Sequence, residues 1–169
     1  MAREMNRIAP QEYQILERFM SERPVRLGAL ARELGVKIKV SSLGPGISGQ
    51  IAREEDGYTI RVNRNEARER QRFTIAHELA HFFLHRDLID ASSDGITDTV
   101  LYRSGAPQNI EYEANRLAAD IVVPTDILAR ELQNDFGGLI TENTVEALAN
   151  RFEVSKAMME VKLSNFALA

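Results

Sequence analysis

Phe73-Thr74-Ile75-Ala76-His77-Glu78-Leu79-Ala80-His81-Phe82-Phe83-Leu84-His85 holds all three histidines of a 169-residue chain, spaced four apart. A helix turns about 100° per residue, so His77 and His81 come within about 40° of each other, one turn apart. Thr74, Glu78 and His85 fall beside them, while Ile75, Ala76, Leu79, Ala80, Phe82 and Phe83 fill the remaining arc. The pattern predicts a helix sunk in the core with one polar stripe, His-Glu-x-x-His.

That stripe has a mechanical reading. With a rise of about 1.5 Å per residue, two imidazoles one turn apart reach a common zinc ion at about 2.0–2.1 Å. Glu78 flanks the pair, where its carboxylate addresses a water on the ion and takes the proton. The competing reading makes His77 and His81 ordinary polar residues of an exposed helix face, which the apolar remainder of the helix opposes. A catalytic zinc takes three protein ligands. His85 lies about 6 Å beyond His81 on the same helix, and no glycine turn intervenes to bring it back as in metzincins. The third ligand is therefore expected to be a downstream carboxylate. His85 is left to orient a ligand, contact substrate or cap the helix.

The second informative stretch is residues 110–124. Ile110, Ala114, Leu117, Ala118 and Ile121 form one helical stripe suited to packing on the first helix. Glu111 and Glu113 fall on opposite flanks of it, and periodicity does not choose between them. Asp120 shares the flank of Glu113 and is a candidate to hydrogen-bond a ligating imidazole. Between the two stretches, residues 87–109 show weak periodicity and read as a loop bordering the cleft. Tyr102 in that loop is a candidate phenol for an oxyanion, against the plainer reading of a packed surface aromatic.

Bulk properties narrow the class. The apolar fraction is 44%, the charged fraction 27% and the net charge −4, ordinary for a globular chain and unpromising for nucleic acid as a main partner. Cysteine is absent, which excludes disulfides and thiolate metal sites. The first residues lack the apolar core of a secretory signal, and no apolar run has the length of a membrane span. A cytoplasmic protein without membrane contact is expected.

The remaining chain reads as one domain, 1–169. Residues 1–35 predict helices, one opening at Pro10 and a second over residues 27–34 that stops at Gly35. Residues 36–63 predict a small antiparallel sheet, with Asp56-Gly57 as a hairpin turn between alternating runs. An edge strand of that sheet beside the zinc would suit an extended peptide. Residues 64–136 carry the metal-site helices and the loop. The arginines at 61, 64, 68, 70 and 72 read as a solvated helical face. Residues 137–169 predict a helical pair resembling a helix-turn-helix, with Asn143 and Glu146 as a capping box and Ser155 as the second cap. Its second helix offers Met158, Met159 and Glu160, with only Lys156 and Lys162 as cations, so core packing or a protein partner is favoured over phosphate contact. The fold class is α+β: a small antiparallel sheet on a helical core carrying the His-Glu-x-x-His helix.

His77-Glu78-x-x-His81 with Phe82-Phe83-Leu84-His85, then Glu113-Ala114-Asn115-Arg116-Leu117-Ala118-Ala119 and Val122-Val123-Pro124, closely resembles the ImmA/IrrE family of metallopeptidases. Gly46-x-Ser48-Gly49 and residues 69–74 are similar to that family as well, so that the likeness runs from about residue 27 to residue 163. Tyr112 and Leu117 stand where Arg or Gln and Phe are common, and neither touches a catalytic group. The resemblance implies a gluzincin-like zinc endopeptidase with one zinc per chain. It selects Glu113 as third ligand beside His77 and His81, with Glu78 as the base. It also implies a protein substrate, a helix-turn-helix transcriptional repressor cleaved in a stress or mobile-element response. Rival classes are a DNA-binding regulator built on the tail, a metal-holding interaction module without turnover, and a zinc amidase acting on small molecules.

Overall fold

The computed structural model describes residues 2–92, 94–99 and 108–167. A 3-10 turn, Arg3–Arg7, leads into α1 (Pro10–Met20) and α2 (Leu27–Glu33). Proline opens α1 at its first helical position, where a missing N–H costs nothing. Strands β1 (Val36–Ser41), β2 (Ile47–Glu54) and β3 (Gly57–Asn63) follow, then α3 (Arg68–Leu84), α4 (Arg86–Ala91), β4 (Ile96–Thr99), α5 (Gln108–Val122), α6 (Thr125–Phe136), α7 (Glu142–Phe152) and α8 (Lys156–Ala167). The class is α+β, as the sequence implies.

The sheet is mixed rather than antiparallel, in the order β1-β3-β2-β4. The Asp56-Gly57 hairpin forms, with Glu54 opposite Gly57. β1, however, lies parallel to β3, Val36 opposite Tyr58 and Ile38 opposite Ile60. Three alternating runs fit a meander equally well, and nothing local reveals that the chain between β1 and β2 leaves room for β3. β2 pairs on both sides, so the edges among the described strands are β1 and β4, not the strand that crosses the metal-site helix.

The described residues of the segment 87–109 are less irregular than expected. α4 and β4 lie within them, and β4 pairs antiparallel with β2 across a register shift between Ile47 and Gly49. A four-residue strand has too few residues for a periodic signal, and its partner is supplied only by the fold. Tyr102 lies outside the described residues.

α3 is the axis of the core. Ala76, Leu79, Ala80, Phe82 and Phe83 are buried on it, against Ala114, Leu117, Ala118 and Ile121 of α5 and Ile51 and Ile60 of the sheet. Each fully buried Leu or Ile in this seam contributes about 1.5–3 kcal/mol over an exposed one. β2 crosses α3 at Gly49. A Cβ there would stand 2.4 Å from Thr74 Cγ2 and 3.7 Å from Glu78 Oε1, so only glycine permits this approach of strand to helix.

The arginines leading into α3 are not simply solvated. Arg68 and Arg72 pair with Glu153 at the end of α7, and Arg72 also donates to the Val25 carbonyl. In the tail, Thr141 rather than Asn143 caps α7, accepting from the Thr144 N–H at 3.2 Å. Ser155 Oγ accepts from the Met158 N–H. Met159 and Leu163 of α8 are buried, Lys162 is spent on Asp120, and Lys156 pairs with Glu142. No helix among the described residues is long and apolar enough to cross a membrane.

Candidate metal centre

Three buried donor groups converge between α3 and α5. His77 Nε2 and His81 Nε2 lie 3.1 Å apart. Glu111 Oε2 is 3.2 Å from the first and Glu111 Oε1 is 3.2 Å from the second. All three residues are at most 1% exposed. Four ligands around a tetrahedral zinc at about 2.0–2.1 Å stand about 3.4 Å from one another. The observed spacings are close to that, and two imidazoles with a carboxylate form a donor set that a divalent cation accepts. His77, His81 and Glu111 form the group among the described residues that could hold a metal ion.

The expected third ligand is therefore corrected. Glu113 is not at the histidine pair; its Oε2 lies 2.9 Å from His85 Nε2 and 2.8 Å from Arg7 Nη1. The two acids diverge because two residues on a helix are about 200° apart. The flank facing α3 is that of Glu111, a fact set by how α5 is rotated against α3.

Burial holds the neutral form of His81, pushing its imidazole down to about 4 from 6.5. Burial also raises the Glu111 carboxyl, but the imidazoles of His77 and His81 outweigh it and hold the carboxyl well below the usual range. Near neutral pH the centre thus offers a neutral imidazole and a carboxylate, the forms that bind a cation. The hydrogen bond from His85 holds the Glu113 carboxyl low against the opposing effect of burial, and the hydrogen bond and charge of Arg7 add to the lowering.

Outward contacts orient the rings. His77 Nδ1 is 2.9 Å from Asn115 Oδ1; an N–H at Nδ1 donating to that oxygen leaves Nε2 bare toward the centre. Asn115 was not singled out from the sequence, although it stands one turn after Glu111 on the same face. His81 Nδ1 is 2.9 Å from His85 Nδ1, so of the roles open to His85 the geometry supports orientation of a ligand. His85 also terminates α3, its backbone N–H bonding the His81 carbonyl at 2.7 Å.

Asp120 does not serve an imidazole. It pairs with Lys162 of α8, accepts from Thr125 Oγ1 and meets the Ala2 backbone N–H, which makes it a tie between α5, α8 and the N-terminal segment. Glu78 follows His77 on α3 with its carboxylate fully buried beneath Gly49 of β2.

Among solved structures, the chain is similar to a Mycobacterium tuberculosis transcriptional regulator. The identity is 17% and the TM-score 0.55, over 92% of this chain and 47% of that one. That likeness is one of fold, and the chain spans about half the length of that protein. The comparison with curated proteins finds no relative that matches. A peptidase family model described as the IrrE N-terminal-like domain matches residues 31–164. Matched over most of its length and carrying the His-Glu-x-x-His helix within the matched region, the chain belongs to this family.

Proposed function

We propose that the protein is a zinc-dependent endopeptidase with His77, His81 and Glu111 as metal ligands and Glu78 as general base. The observation that carries this reading is the triangle of buried donors at 3.1–3.2 Å with a buried carboxylate one residue after the first histidine. A zinc ion bound there supplies a Lewis acid that polarises a carbonyl and acidifies water. Glu78 accepts the proton from the attacking water and returns it to the departing amine. Asn115 and His85 hold the two imidazoles in place, which keeps the reacting groups in register.

The proposed substrate is a helix-turn-helix transcriptional repressor, and the proposed setting a stress or mobile-element response in the cytoplasm. The family resemblance supports the substrate, and the cysteine-free sequence is compatible with the compartment.

The test is cleavage of purified repressors from the same genome by the zinc-loaded protein, read by intact mass, with Glu78→Gln as control. One defined cut by the unmutated protein, slowed at least 100-fold in a Glu78→Gln protein that still holds zinc, is the expected result. Equal cleavage by both would sink the assignment of the base. Zinc bound with no cleavage of any repressor would favour a metal-holding interaction module.

A further inference from the structure

Beyond the ligand triangle, a line of hydrogen bonds runs outward from the centre to the opposite end of the chain. His81 Nδ1 meets His85 Nδ1 at 2.9 Å, His85 Nε2 meets Glu113 Oε2 at 2.9 Å, and Glu113 Oε2 meets Arg7 Nη1 at 2.8 Å. His85 is 5% exposed and His81 is fully buried, so water does not compete freely for these ring atoms.

Along this line the donor count has one neutral solution, against which the Glu111 carboxylate, 3.2 Å from His81 Nε2, competes for a proton on that nitrogen. A carboxylate only accepts, so the bond to Glu113 requires the N–H of His85 at Nε2. Neutral His85 then has a bare Nδ1, which can only accept. His81 must supply the proton between the two rings from its own Nδ1, and its Nε2 is left as a lone pair directed at His77 and Glu111. The opposite tautomer of His81 would put a hydrogen where the ion is to be bound.

Arg7 belongs to the 3-10 turn Arg3–Arg7, which lies before the family-matched region 31–164. The turn is anchored independently of Arg7. Met5 is buried in the core, and Glu4, 1% exposed, bonds the Arg116 guanidinium of α5 at 2.9 Å through Nε.

We infer that Glu113 and His85 are positioning residues that fix the tautomer of His81 and thereby set the metal affinity, with Arg7 of the N-terminal turn clamping Glu113. The inference rests on the metal-site reading above, and its test separates the two. The readouts are the imidazole ¹⁵N shifts of His81 in the metal-free full-length protein and zinc affinity by competition with a chelator. The unmutated protein should carry the His81 proton on Nδ1. Glu113→Ala and His85→Phe should mix the tautomers and weaken zinc about 10- to 100-fold, with one zinc still bound at saturation. Arg7→Ala, which spares the His81–His85 and His85–Glu113 bonds and removes the clamp, should weaken zinc by a smaller factor.

An unchanged His81 tautomer in both Glu113→Ala and His85→Phe would overturn the relay, whatever zinc does. An Arg7→Ala protein with unaltered spectra and affinity would remove the clamp from it. Absence of zinc from the unmutated protein would strike the metal-site reading instead, and the spectra of the metal-free chain would still decide the relay.

Discussion

Glu113 Oε2 lies 2.9 Å from His85 Nε2, two positions along α5 from the carboxylate that faces His77 and His81. The two acids share a helix and a stretch of sequence and yet serve different rings. Glu111 closes the donor triangle, and Glu113 holds the outermost histidine.

That division predicts different metal contents. Glu111→Ala should leave the protein without stoichiometric zinc, whereas Glu113→Ala should still reach one zinc per chain at saturating metal, read by elemental analysis after desalting. Because the ion binds only the folded state, zinc at 100 times its Kd should add about 2.7 kcal/mol of stability. Chelation should then lower the Tm by about 5–10 °C for a chain of this size, and the Tm of Glu111→Ala should not respond to chelator.

Gly49 sets how closely β2 lies over α3. A Cβ at this position would stand 2.4 Å from Thr74 Cγ2 and 3.0 Å from the Arg61 carbonyl oxygen, and Thr74 is fully buried. Gly49→Ala should cost about 1–3 kcal/mol in urea unfolding, the usual range for overpacking. Adding Thr74→Ser, which deletes Cγ2, should recover part of that loss. Recovery of nothing would mean that the Arg61 carbonyl is the main obstacle.

The metal-free protein should lose stability in mild acid through His81. Its folded value of about 4 lies below the unfolded 6.5, so between those values the unfolded chain binds more protons and stability rises with pH. The contribution is fully present above about pH 6.5 and is lost as the pH falls toward 4. Tm measured across that window should fall less steeply in His81→Gln than in the unmutated protein. Parallel curves would show that His81 is not the group responsible.

Asp120 and Lys162 are an internal tie, with side chains about 10% and 9% exposed. Lys162→Ala should destabilise the fold by about 3 kcal/mol, because it strips a buried carboxylate of its cation. Paired replacement by Asp120→Asn and Lys162→Met should cost less than Lys162→Ala alone. Neither change should move zinc affinity by more than about twofold. A large loss of zinc in Lys162→Ala would return Asp120 to the metal site.

Much of this was legible from local pattern. The His-Glu-x-x-His helix, the Asp56-Gly57 hairpin, the α1 start at Pro10 and the α5 stripe from Ile110 to Ile121 each depend on spacing within a few turns, and each forms where its pattern lies. The Asn143–Glu146 box was a weaker signal. Thr141 won because its hydroxyl reaches the Thr144 N–H at the true start of α7, and several capping residues in a row leave the start ambiguous.

The sequence by itself determined which residues can bind a cation and that two of them share one helical face, because periodicity along a single helix is a property of the chain alone. Only the tertiary structure decided which acid joins them. Glu111 and Glu113 are both plausible from periodicity, and the choice is made by the rotation of α5 against α3, which packing of Ala114, Leu117 and Ala118 fixes. The same holds for Asn115 behind His77, for Arg7 behind Glu113, and for β3 inserting parallel to β1. Each is a contact between segments distant in sequence, and no local spacing encodes which distant surface a side chain will meet.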